Sequence, residues 1–154
     1  METMKARMRW MLPVLCAVLS AAALPVTPLA AQGPIIVMVN PYQNGQQVRT
    51  LRNTELSPIL GTLNSPNGVN RVTVYVKRQS DGYYWNGLGW VAVSTALTAT
   101  ISNRNPTPPF YDFRVDVGPS AAAITASEQY TMLINAYDLT GALSSVTLTL
   151  VGID

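Results

Sequence analysis

Histidine is missing from the 154 residues, and cysteine occurs once, at Cys16. Without an imidazole there is no Ser-His-Asp triad and no histidine-ligated metal. One cysteine cannot build a disulfide framework. Charge is scarce as well, at 12% of residues, where about 25% is usual. With 48% hydrophobic residues, the chain is too apolar to stay disordered. Helical spacing of useful length is lacking. So are a phosphate loop and a dinucleotide fingerprint. The one Asn-x-Thr triplet, Asn105-Pro106-Thr107, is blocked as a glycan acceptor by its proline.

What is present begins with a leader. Lys5, Arg7 and Arg9, against Glu2 alone, precede an apolar run from Met11 to Leu24. Pro25 and Pro28 follow, then the small residues Ala30 and Ala31. A basic start, an apolar stretch and a small-residue exit make residues 1–31 a signal peptide, cleaved after Ala31 or, as the next choice, after Ala30. The run falls short of the ~20 residues that span a bilayer as helix, so no membrane insertion is expected after cleavage. Leu15, rather than a small residue, precedes Cys16, which argues against lipidation there. Localisation is therefore expected to be secreted, periplasmic or at the cell surface.

The formal net charge of +2 resides in that leader. Beyond it, Arg49, Arg52, Arg71, Lys77, Arg78, Arg104 and Arg114 balance Glu55, Asp81, Asp112, Asp116, Glu128, Asp138 and Asp154. A neutral domain has no electrostatic footprint for nucleic acid or anionic lipid. Residues 32–154 suffice for one domain held by core burial alone.

Period-two alternation runs through this whole stretch. Ile35, Val37 and Val39 share one face, and Ile59, Gly61 and Leu63 make a short second run. Val72, Val74 and Val76 alternate with Arg71, Thr73, Tyr75 and Lys77. Leu97, Ala99 and Ile101 follow, then Phe113, Val115 and Val117. Met132, Ile134 and Ala136 alternate with Thr131, Leu133, Asn135 and Tyr137, and Val146, Leu148 and Leu150 complete the series. Each run is expected to bury one face and wet the other, as antiparallel strands do. Asn44-Gly45, Asn67-Gly68, Asp81-Gly82 and Asn86-Gly87 supply the positive φ angles of tight turns, and Thr140-Gly141 joins the last two runs. About seven or eight strands at this spacing predict an all-β antiparallel sandwich. Ala121-Ala122-Ala123, in the connection 118–128, is compatible with a helical turn.

Several segments then resemble a known family. They are Asn40-Pro41, Ile59-Leu60-Gly61-Thr62-Leu63, Gly68-Val69-x-x-Val72-x-Val74 and Gly82-Tyr83-Tyr84-Trp85-Asn86-Gly87-x-x-Trp90. Leu97-Thr98-Ala99 and Tyr130-x-Met132-x-Ile134-x-Ala136-x-Asp138-x-x-Gly141 complete the set. Together, over nearly all of 34–154, they resemble the bacterial immunoglobulin-like domains of exported and cell-surface proteins. The resemblance implies a β-sandwich serving as spacer, adhesive module or accessory domain, and not as a catalyst.

Tyr83, Tyr84, Trp85 and Trp90 form the one dense aromatic group. Either they are a sugar-stacking platform, or they lock a hairpin through cross-strand pairs. A two-residue turn at Asn86-Gly87 would set Trp85 opposite Leu88 and Tyr83 opposite Trp90, with Tyr84 on the other face. Tyr130, at the start of a late strand, has the placing of a tyrosine corner. Asp81, Asp112, Asp116 and Asp138 raise calcium, but no clustered carboxylate motif joins them. Asp112 and Asp116 flank Arg114, and Asp138 precedes the turn it is expected to bond. No cofactor and no metal are expected. A Ser-Lys dyad would need Lys77, which lies in a strand. The expectation is a non-catalytic exported domain with a structural, protein-binding or adhesive role at the cell envelope. A carbohydrate-binding module built on the four aromatic residues is one alternative, and a calcium-dependent adhesion unit another.

Overall fold

β-branched and aromatic residues that alternate with Thr, Ser and charged residues suit a pleated surface buried on one side. A computed structural model describes residues 32–41, 48–51, 56–103 and 109–152. The leader, the Asn44-Gly45 turn and Asn105-Pro106-Thr107 lie outside the described residues. Among the described residues the chain forms β1 (Ile35–Asn40), β2 (Val48–Leu51), β3 (Ile59–Asn64), β4 (Arg71–Arg78), β5 (Tyr84–Trp85) and β6 (Trp90–Val91). There follow β7 (Leu97–Thr98), β8 (Thr100–Asn103), β9 (Phe110–Val115), β10 (Gln129–Tyr137) and β11 (Leu143–Gly152). A single 3-10 turn, Ala121–Ala123, falls where the three alanines allow one.

The strands make two layers, as the alternation predicts. The smaller sheet has the order β1-β3-β9-β8, and the larger β2-β11-β10-β4-β5-β6 with β7 also on β4. All ladders are antiparallel except β2 on β11, which is parallel. In immunoglobulin lettering the smaller sheet is A-B-E-D, and the larger runs G-F-C with C′ and C″ at its end. The expected immunoglobulin-like sandwich is thus present, and it carries more strands than expected because several are only two residues long.

The core lies between the layers. Ile59, Leu63, Phe113 and Val115 face Val72, Val74, Val76, Met132, Ile134, Leu148 and Leu150, all buried. Gly61 has a packing reason in this core. A Cβ there would lie 2.3 Å from the ring of Phe113, its ladder partner, so the ring occupies the space that glycine leaves.

Three details depart from expectation. In β1, Ile36 and Met38 are buried, while Ile35, Val37 and Val39 stand 61%, 53% and 50% exposed. Both alternations of this strand are apolar, so its pattern cannot choose a face. The ladder chooses, pairing Ile36 with Leu63 and Met38 with Gly61, both on the inner face. Val117 is 50% exposed, because β9 ends at Val115. The run Leu97, Ala99, Ile101 is not one strand. β7 pairs with β4 in the larger sheet and β8 with β9 in the smaller, so the chain changes layers at Ala99. The Ala99 amide still donates to the Val72 carbonyl at 3.0 Å, which closes that corner.

Candidate functional site

The aromatic group divides into two parts with different surroundings. Its hairpin is β5–β6, paired Tyr84 to Val91 and Trp85 to Trp90. The connection is therefore Asn86 to Gly89, not the two-residue turn expected, and Leu88 is left 94% exposed at its tip. Asn86 explains the longer loop. Its side-chain carbonyl accepts from the amides of Leu88 at 2.9 Å and Gly89 at 2.8 Å. Its own amide donates to the Gly89 carbonyl at 3.0 Å. An Asx turn of this kind holds the loop without the tight pairing.

Trp85 and Trp90 point to the core side and hold the connection 116–128. The two rings meet edge to face, 5.4 Å apart at 68°. Trp85 is buried, and its indole N–H donates to the Val117 carbonyl at 2.7 Å. Trp90 stacks on Tyr130 at 5.6 Å and 26°, and donates to the Ala123 carbonyl at 3.1 Å. The Tyr130 hydroxyl accepts from the Thr125 amide at 2.8 Å, the tyrosine corner that its placing suggested. Arg78 lies 4.8 Å from the Trp90 ring centroid. That guanidinium is bidentate on Asp81, at 2.5 and 3.2 Å. The hydrogen bond from Arg78 holds the Asp81 carboxyl below its ordinary range, against some desolvation, and the Arg78 pKa rises in turn.

Tyr83 and Tyr84 lie outside that packing. Tyr83 is 39% exposed beside the turn, where its amide donates to Asp81 at 3.1 Å. Tyr84 is half-buried and faces the outer side of the larger sheet, opposite Lys77 in the ladder. The Lys77 ammonium stands 5.8 Å from the Tyr84 ring centroid. Period two and register bring further residues to the same face. Thr131 lies opposite Lys77, and Leu133 opposite Tyr75. With Ser94 from the connection after β6, these residues line an open cleft of about 200 Å³, walled by Tyr75, Lys77, Tyr84, Ser94, Thr131 and Leu133. Among the described residues no carboxylate pairs with Lys77, and the Tyr75, Tyr84 and Ser94 hydroxyls have no hydrogen-bond partner.

Sequence reasoning set Tyr84 on the face opposite Trp85, which favours it for exposure, but the structure leaves Tyr83 the more exposed of the two tyrosines. It did not foresee Tyr75, Lys77, Ser94, Thr131 and Leu133 as neighbours of Tyr84. The alternation already placed most of them on outward faces. Their meeting depends on the β4–β10 register, which no local signal carries. A second hollow, of about 250 Å³, lies on the outer face of the smaller sheet between Val39, Leu60, Gly61, Thr62, Asp112 and Phe113.

The remaining aspartates stand apart. Asp138 is buried, and its carboxylate accepts from the Thr140 hydroxyl at 2.7 Å and the Thr140 and Ala142 amides at 2.8 Å. Its other oxygen accepts from the Asn67 amide group at 3.0 Å. The Thr140 hydroxyl is the main cause that holds Asp138 below the ordinary carboxylate range, burial opposing it and the other donors helping. Arg114 pairs with Asp116 at 2.5 Å on the surface. Among the described residues no three His, Cys, Asp or Glu side chains gather as a metal site needs. Nor does any described helix have the length and apolarity to cross a membrane.

No family model matches the sequence, and no curated protein matches it. Among solved structures, murine CRIg overlaps 78% of this chain and 96% of its own, at 9% identity and a TM-score of 0.34. The collagen-binding subdomain ACE19 of the Enterococcus faecalis surface protein ACE overlaps 70% of this chain and 94% of its own, at 12% identity and a TM-score of 0.26.

Proposed function

We propose that the chain is an exported, non-catalytic immunoglobulin-like domain with an adhesive role at the cell envelope, which binds through the outer face of its larger sheet. The cleft beside Tyr84 carries this reading. It combines two tyrosines and a leucine with an ammonium that no carboxylate of the described residues pairs, and with the Tyr75, Tyr84 and Ser94 hydroxyls, which no described group bonds, mostly on paired strands. Apolar walls with a few polar groups that fix orientation are the usual make-up of a binding site. Elements held by sheet pairing present such groups with less loss of conformational freedom than loops do. Trp85 and Trp90 contribute indirectly, by fixing the hairpin that carries Tyr84. Export is supported by the composition of residues 1–31.

Two experiments test this. Labelled protein is mixed with isolated cell envelopes, and bound label is counted for the parent and for Tyr84→Ala. Retention of the parent and loss of the variant, at equal melting temperature, is the expected result. Equal retention would refute the assigned face. N-terminal sequencing of the exported protein should begin at Gln32, whereas an intact Met1 would refute export by cleavage.

A further inference from the structure

We propose that the cleft takes a uronic-acid residue, as one unit of an anionic polysaccharide. The inference rests on the binding reading above and names its ligand. At about 200 Å³ the cleft is smaller than the ~300–1,000 Å³ of most small-molecule pockets, so it admits one ring-sized group of a longer ligand. Tyr75, Tyr84 and Leu133 are the ring-bearing and aliphatic members of its lining. These surfaces match the C–H face of a pyranose.

The polar groups specify more. Lys77 brings a cation that no carboxylate of the described residues neutralises, and Tyr84 keeps it near the ring at 5.8 Å. The charge complement is an anion. The lining also includes Tyr75, Tyr84, Ser94 and Thr131, each of which carries a hydroxyl. The Thr131 oxygen accepts from the Gln79 side chain, which leaves its O–H free to donate. A neutral sugar would cover the rings and meet the hydroxyls but leave the ammonium unpaired. An acidic peptide would supply a carboxylate but no hydroxylated ring to lie on the tyrosines. A uronic acid supplies the flat C–H face, the hydroxyls and the carboxylate together. No bond is made or broken, so recognition alone is proposed.

The test is calorimetric titration of the purified exported protein with trigalacturonate and triglucuronate, with their carboxyl-reduced neutral counterparts, and with hexaglutamate. At least one oligouronate should bind, and its neutral counterpart about tenfold more weakly or worse. Lys77→Met should lower oligouronate affinity about ten- to a hundredfold, the worth of a charge-assisted contact, at unchanged melting temperature. Lys77→Arg should keep the preference for the acidic sugar. The proposal is overturned by equal affinity for acidic and neutral sugars, by parental affinity in Lys77→Met, by preferential binding of hexaglutamate, or by no oligouronate binding. Any of these leaves the adhesive reading standing if Tyr84→Ala still loses the envelope. That reading fails separately if Tyr84→Ala keeps it.

Discussion

Replacing Trp90 by alanine removes the ring that joins the hairpin, β10 and the connection 116–128. The cost can be built from the geometry. Each aromatic pair, with Trp85 at 5.4 Å and Tyr130 at 5.6 Å, is worth about 0.5–1.5 kcal/mol beyond area burial. The indole hydrogen bond to the Ala123 carbonyl adds about 0.5–1.5 kcal/mol. The Arg78 contact adds roughly 0.5–1 kcal/mol at an exposed site. These terms share partners and do not simply add. Full burial would raise the loss towards the ~3–5 kcal/mol of core Trp→Ala changes, but Trp90 is only half-buried. A loss of about 2–5 kcal/mol is expected. Trp90→Phe keeps a ring but not the N–H, and should lose about 1 kcal/mol. Urea unfolding followed by circular dichroism measures both. Hydrogen exchange adds a local readout, since the amides of Ala123, Ile124 and Thr125 should exchange faster in Trp90→Ala. Parental stability in both variants would refute the assigned role.

Other perturbations test other joints. Ile134, fully buried in β10, should cost about 2–5 kcal/mol as Ile134→Ala, read by the same urea titration. Gly118→Ala should fail to yield folded protein. The added Cβ would sit 1.7 Å from the Leu56 carbonyl oxygen, and backbone cannot yield as a flexible side chain does; a normal melting curve would contradict this packing. Asp138 governs part of the acid limb. Its folded-state pKa is depressed, so the turn it holds stabilises fully above the unfolded carboxylate value of about 3.9. That stability is lost as pH falls through the lower folded value. Asp138→Asn should therefore lower the melting temperature near neutrality and reduce its fall below about pH 4; an acid limb identical to the parent's would exclude this.

Much of the sandwich is legible in the residues, and the exceptions have physical causes. Val72, Val74 and Val76 differ from Arg71, Thr73, Tyr75 and Lys77 in polarity, so the buried face of β4 is explicit. In β1 both faces are apolar, and only pairing with β3 decides between them. Asn86-Gly87 reads as a two-residue turn because the Asn-Gly pair favours it. The side-chain carbonyl of Asn86 captures two amides further on and moves the register. Leu97, Ala99 and Ile101 keep the strand period across a change of sheet, which no periodicity can reveal. The tyrosine corner and the Asp138 turn are legible because each is closed by residues near in sequence. The cleft is not, because it draws on β4, β5, β10 and the stretch after β6. Lys77 in particular reads as one more outward strand residue until its distance from Tyr84 is known.

The assignment of the binding face is tested most directly by an amide NMR titration of the exported protein with solubilised envelope material. Shifts should concentrate at Tyr75, Lys77, Tyr84, Ser94, Thr131 and Leu133, with the Asn86–Gly89 tip and the outer face of β1 unmoved. Shifts gathered at that tip or along β1 instead, with the cleft silent, would contradict the account.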